Sequence, residues 1–275
     1  MLVIKNNLMS ETAGRYLAQS YDALSKSVER LSSGQRINGA ADDAAGLAVR
    51  ELMRADVAVL KQGARNAQDA ISMLQTSEGA LQVVDEALIR MKELAEQAAT
   101  GSYSDTQRSI MNNEFQEMAA EIDRIANSTK FNGTTMLNAS GSSVTFQIGT
   151  GSDSANDQIS VNTVDTTKSG LGIGSLSIVT QASAAGALTA LDSAISKKDV
   201  ARASFGYKIN RLQSTVNILN IQAENMMASE SRISDVDVAS EMSKLTRNQV
   251  LAQAGTAMLA QANSMPQMAV QLLRG

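Results

Sequence analysis

From Val57 to Ala98 the chain places an apolar residue at nearly every third or fourth position: Val57, Leu60, Ala64, Ala67, Ile71, Leu74, Leu81, Val84, Leu88, Met91, Ala95 and Ala98. That spacing puts all of them on one helical stripe. At about 1.5 Å per residue the stripe alone spans roughly 60 Å, several times the length of an ordinary globular helix. A second stripe appears late in the chain: Leu188, Leu191, Ile195, Phe205, Ile209, Leu212, Val216, Leu219, Ala223 and Met226, with Lys198 and Arg202 as its two polar entries. It predicts one helix from about Ala184 to Glu230. Two long amphipathic helices of matching length cover each other's apolar faces most simply by packing antiparallel.

Each long helix is flanked on its outer side by a shorter one. Leu17, Tyr21, Leu24, Val28 and Leu31 step by four and three. Ser32-Ser33-Gly34 and Asn38-Gly39 then read as a stop and a loop, and Asp42 or Asp43 as the cap of the next helix. After a joint at Ser231 to Asp237, a final helix carries Met242, Leu245, Leu251, Ala254, Met258 and Leu259. Gly101 and Ser102 end the long first helix. Another follows Ser104, with Met111, Phe115, Met118, Ile122 and Ile125 on one face. The only proline is Pro266, and eight of the 18 glycines fall between Gly133 and Gly186. Glycine is thus densest in the middle, where Val144-Thr145-Phe146-Gln147-Ile148 and Gln158-Ile159-Ser160-Val161 alternate with period two and predict short strands. The fold expected is mainly α: an elongated antiparallel long-helix bundle formed by the N- and C-terminal arms, with a small β-rich central module. Its expected segments are 1–40 (first terminal helix), 41–140 (N-terminal arm), 141–183 (central segment), 184–234 (C-terminal arm) and 235–275 (last terminal helix).

Composition narrows the function. Histidine and cysteine are both absent, which removes the commonest general base and the usual ligands of zinc and haem. Adjacent Asp42 and Asp43 suit a helix start better than paired acid and base work. No cofactor or metal is expected, and an enzyme is disfavoured. Lys plus Arg is 24 against 28 Asp plus Glu, a net charge of −4, which offers no footprint for nucleic acid. The stretch from Asn248 to Leu273 is uncharged but carries Gln249, Gln253, Gln261, Asn263, Gln267 and Gln271, amides that oppose membrane insertion. The first residues lack the long apolar run and cleavage site of a secretory signal. An uncharged helix rich in Ala and Met needs apolar company on several sides. That company is either its own chain or other copies, and a contact between copies that does not close a ring builds a helical fibre.

Several long segments resemble bacterial flagellins: Ser27 to Val49 (SVERLSSGQRINGAADDAAGLAV), Arg65 to Leu81 (RNAQDAISMLQTSEGAL), Glu121 to Gly133 (EIDRIANSTKFNG), Arg202 to Leu212 (RASFGYKINRL), Glu230 to Met242 (ESRISDVDVASEM) and Gln249 to Asn263 (QVLAQAGTAMLAQAN). The resemblance covers both arms, roughly 1–140 and 185–275, in the family order.

That resemblance implies a secreted, extracellular structural subunit of the flagellar filament, exported through the flagellar type III apparatus and polymerising as a homopolymer beneath the filament cap. It implies a filament core built from the paired terminal helices, with Leu17, Tyr21, Leu24, Val28, Leu31, Leu251, Ala254, Met258 and Leu259 as packing residues. Hook-associated proteins are further implied partners, as is an export chaperone on about Ser243 to Gly275. Leu88 to Ala99 is similar to the segment read by the vertebrate flagellin-sensing Toll-like receptor. Arg90, Leu94 and Glu114 match its contact positions, Arg90 as a guanidinium fork and Leu94 as an apolar plug. Lys92 and Ile89 depart from the usual Arg and Gln. The nearest rival is a hook–filament junction protein of the same family. A coiled-coil signalling hairpin is a more distant one, opposed by the Ser/Gly-rich tip. Three Asn-x-Ser/Thr patterns, at Asn127, Asn132 and Asn138, read as chance.

Overall fold

The computed structural model describes residues 6–139 and 141–274. The last position of the Asn138-Ala139-Ser140 pattern and the extreme ends of both terminal segments lie outside them. In chain order the elements are α1 (Leu8–Ser33), α2 (Ala44–Ala99), α3 (Asp105–Ser128), β1 (Lys130–Phe131), β2 (Thr134–Thr135), β3 (Ser143–Gln147), β4 (Gln158–Asn162), α4 (Lys168–Leu171), α5 (Gln181–Ser234) and α6 (Val238–Arg274). The chain divides into two compact units, Asp56–Glu224 and a second made of Met1–Ala55 with Asn225–Gly275.

Within Asp56–Glu224, α2 buries Ala67, Ala70, Leu74, Ser77, Leu81, Val84, Leu88, Met91, Ala95 and Ala98, an unbroken alternation of three and four. Ala70, not the expected Ile71, holds the inner position; the larger Ile71 is half-buried at the flank. From α5, Ala184, Ala187, Leu191 and Ala194 enter the same core, and α3 adds Phe115, Ala119, Ile122 and Ile125. The ion pairs Lys92–Asp192, Asp85–Lys198 and Glu78–Arg202 show α2 and α5 running antiparallel.

The turn from α2 into α3 is set by local chemistry. Ser104 accepts from the Gln107 backbone N–H while the Gln107 side chain accepts from that of Ser104, a reciprocal cap. Arg108 is buried and donates from Nε to Ala98 O (2.8 Å) and from Nη2 to Thr100 O (3.0 Å), satisfying carbonyls at the end of α2.

The central residues form two antiparallel pairs, β1–β2 and β3–β4. In the second, Val144 faces Val161 and Phe146 faces Ile159, so the alternation read from sequence gives one apolar face. Ile148 just beyond β3 lies so close to α2 that a Cβ on Gly63 would stand 2.2 Å from Ile148 O. Asn66 on the next turn of α2 donates to Gln147 O at 2.8 Å. Only glycine lets the hairpin seat there.

In the other unit, Asp43 caps α2 by accepting from the Gly46 N–H (2.9 Å), and Asp237 caps α6 by accepting from Ala239 and Ser240. Gly34, at φ +71°, closes α1 in the left-handed conformation that glycine adopts without strain. Two backbone bonds, Arg36 N to Ser234 O and Val236 N to Gly34 O, tie the joint after α1 to the joint after α5. Buried Arg50 reaches back to Gln35 Oε1 and Ile37 O. Helix α5 continues to Ser234, so the expected joint at Ser231 to Asp237 shrinks to its last three residues.

Candidate assembly surface

Helices α1 and α6 lie side by side and antiparallel. Asn7 Nδ2 donates to Ala262 O (2.8 Å) and Ser10 Oγ to Asn263 Oδ1 (2.7 Å) at one end. At the other, buried Ser27 donates to Glu241 Oε1 at 2.8 Å. Between them Leu17 packs on Gly255, where an added Cβ would meet Leu17 Cδ1 at 3.0 Å. Small residues on α6 (Ala252, Gly255, Ala262) permit this close approach.

Close approach does not bring burial. Across the 26 residues of α1 the one buried side chain is that of Ser27. Among the side chains described on α6, Glu241 and Ala252 alone are buried. The expected packing residues separate into two sets. Leu17, Leu24 and Leu31, seven apart, are half-buried, as is Leu259, whereas Tyr21 (50% exposed), Val28, Leu251, Ala254 and Met258 (62% exposed) face outward. One stripe in the sequence is therefore two surfaces, an inner seam and an outer flank. Between α1 and α6 runs an open groove of about 760 Å³, lined by Met9, Ala13, Tyr16, Leu17, Leu251, Ala254, Met258 and Met265 among others. Leu8, Met9, Tyr16, Val238, Met242, Val250 and Met268 add exposed apolar surface, more than the scattered single residues of an ordinary monomer surface.

The buried polar pair on this seam is held electrostatically. Burial pushes the Glu241 carboxyl up. The hydrogen bonds from Lys244 (2.9 Å) and Ser27, with the charges of Lys244 and Arg30, outweigh it and hold the group below its ordinary value. Sequence reasoning passed over Glu241, Arg50, Gly63 and Gly255. For the glycines the available signal was a lone glycine inside a helical pattern, a mark of close approach.

The residues carried over as a receptor site sit in the other unit. Arg90 donates to Glu114 (Nε–Oε1 2.9 Å, Nη2–Oε1 2.7 Å) and to Glu93 (3.0 Å), and all three are exposed. The hydrogen bonds it donates to Glu114 and Glu93 raise the guanidinium above its usual value. Leu94 departs from the expectation of an apolar plug. It is 2% exposed and belongs to the core with Met91, Ala95 and Phe115, next to the inner stripe of α2.

Among the described residues, no group of three or more acidic side chains is arranged to hold a metal ion, and no helix is long and apolar enough to cross a membrane. The described residues thus present a tightly packed helical unit and, in the other unit, a helix pair with an uncovered apolar flank. Residues 4–142 match the bacterial flagellin N-terminal helical region and residues 188–273 the bacterial flagellin C-terminal helical region. The chain belongs to the bacterial flagellins, structural proteins of the flagellar filament and not enzymes. It is 40% identical over 273 residues to a flagellin of Halalkalibacterium halodurans, across 99% of this chain and all of that one. The crystal structure of Bacillus cereus flagellin, 37% identical, superposes with a TM-score of 0.50 over 60% of this chain and 94% of that chain. A structure described as a flagellar hook-associated protein from Vibrio parahaemolyticus gives 0.58 over 70% of this chain and 100% of that one, at 15% identity, a likeness of fold alone.

Proposed function

We propose that the outer flank of the α1–α6 pair is the surface on which neighbouring copies pack in the filament. The observation that carries this is the near absence of buried apolar side chains from two helices of 26 and 37 residues. Neither helix gains from its partner the burial that stabilises a helix in water. Tyr21, Val28, Leu251, Ala254 and Met258 are the residues a further copy covers, while Leu17, Leu24, Leu31 and Leu259 hold the pair together. Packing between copies repeats without closing and so gives a helical fibre.

The same flank is the feature a secreted subunit must hide before assembly. An export chaperone that covers Ser243 to Gly275 during type III export removes the uncharged apolar face of α6 from water. The filament cap and the hook-associated proteins meet the same two helices at the growing and basal ends. Arg90 and Glu114 form the exposed polar part of a Toll-like receptor contact on the free subunit, with Leu94 shaping the ridge beneath them. The junction-protein reading is weaker, since identity is 40% along the whole length of a flagellin and 15% with the hook-associated structure.

Electron microscopy after seeding purified protein tests the assembly reading. Filaments are expected from the full chain and soluble monomers after deletion of residues 242–275. Normal polymerisation of the shortened chain overturns it. In a receptor reporter assay, Arg90→Ala is expected to lower the monomer's activity, and equal activity removes Arg90 from the contact.

A further inference from the structure

Lys198 is 2% exposed and occupies a core position of the α5 heptad. It lies in the series Ala184, Ala187, Leu191, Ala194, Lys198, Ala201 and Phe205, every other member of which is apolar and buried. A buried ammonium in an apolar seam is costly unless paired. Lys198 Nζ is 2.5 Å from Asp85 Oδ1 and 2.7 Å from Asp199 Oδ1. Burial pushes the ammonium's pKa down, and the two carboxylates more than offset this, raising it overall. The residue stays charged and must keep a carboxylate opposite it on α2.

Two further ion pairs bridge the same helices: Lys92–Asp192 at 2.5 Å and Glu78–Arg202 at 3.3 Å. On α2 the three charges, Glu78, Asp85 and Lys92, are seven residues apart. Apart from Ser77, the buried stripe of α2 consists of Ala, Leu, Val and Met at the same heptad steps. A slide of one heptad, about 10 Å, therefore returns apolar groups to apolar groups. Apolar packing alone distinguishes these alignments poorly, but charge separates them. Moving α5 one heptad toward the C-terminal end of α2 sets Lys198 against Lys92 and leaves Asp192 against Ala99. Moving it the other way sets Asp192 against Asp85 and leaves Arg202 against Ile71. Each slip exchanges three attractive pairs for one attractive pair, one like-charge pair and two orphans, one on each helix.

We infer that Glu78, Asp85 and Lys92 on α2, with Asp192, Lys198 and Arg202 on α5, form a charge code that fixes the heptad register of the two helices. The like-charge pairs in the slipped states matter as much as the native attractions. A subunit that repeats through a polymer needs one length, and this code sets it for Asp56–Glu224.

The test separates register selection from plain attraction. The double reversal Lys92→Glu with Asp192→Lys keeps all three native pairs attractive but removes the like-charge pair from both slipped states. The chain has no cysteine, so spin labels go onto Glu86→Cys and Gln213→Cys, exposed positions offset along the helices, in the full-length monomer. Pulsed electron paramagnetic resonance is expected to give one distance in the otherwise unaltered chain. In the reversed chain a second component displaced by about 10 Å is expected, with unchanged helical circular dichroism. The neutral pair Lys92→Gln with Asp192→Asn removes the same penalties, and it decides the matter if the reversal impairs folding. A single unaltered distance in a folded variant of either kind overturns the inference.

Discussion

The two units spend their apolar residues differently. In Asp56–Glu224 the large side chains Leu74, Leu81, Leu88, Met91, Phe115, Ile122 and Phe205 are all but sealed from water. In the α1–α6 pair Tyr16, Tyr21, Leu251 and Met258 are at least half exposed, and a serine, a glutamate and an alanine occupy the protected places. Both regions show the same three/four periodicity in sequence. The difference lies in the size of what faces inward. Leu, Met and Phe fill the seam of α2, α3 and α5. Ala and Gly on α6 bring its backbone close to α1, leaving bulky residues nowhere to go but outward. One region is sealed within the chain, and the other, on the function proposed, is completed by assembly.

Substitutions should break this comparison in order of size. Phe205→Ala, emptying a fully buried site, is expected to lower monomer stability by about 3–5 kcal/mol in urea unfolding. A cost near zero would mean that α5 is not part of a sealed core. Gly63→Ala, with its Cβ driven against Ile148 O, should cost about 1–3 kcal/mol and raise hydrogen exchange across β3 and β4. Glu241→Gln is expected to weaken the α1–α6 pair by about 1–2 kcal/mol at neutral pH, read from hydrogen exchange in α1. The sign with pH follows from the lowered carboxyl. Its stabilisation is complete above the unfolded pKa of about 4.5 and is lost as pH falls through the lower folded value. The Gln variant and the natural chain should therefore converge in acid, once pH has fallen through that lowered value. Tyr21→Ala and Met258→Ala sharpen the contrast most. Each should change monomer stability by no more than about 0.5 kcal/mol, yet raise the concentration needed for filament growth, measured by sedimentation.

Periodicity carried most of the fold. The long stripes, the Ser104 cap and the β3–β4 alternation were legible because each depends on neighbours within a few positions. Sequence reading failed where two positions satisfied the same period. Ala70 and Ile71 both fit the stripe of α2, and the choice between them depends on the helix opposite. Leu17 and Tyr21 both fit the stripe of α1, yet only the smaller leucine fits against Gly255. Leu94 matched a contact position by family likeness, but its place next to the inner stripe decides its burial. Lys198 was visible as a polar entry. Its role needed the partner charges on α2, more than a hundred residues away.

Residues 150–156, between β3 and β4, are all exposed, and the turn is braced from within by Asp157, which accepts from Asp153 N, and by Asp153, which accepts from Ala155 N. The bend contributes no buried side chain. A peptide grafted between Gly151 and Ser152 would ride on each subunit as a passenger and be displayed at every repeat of the polymer.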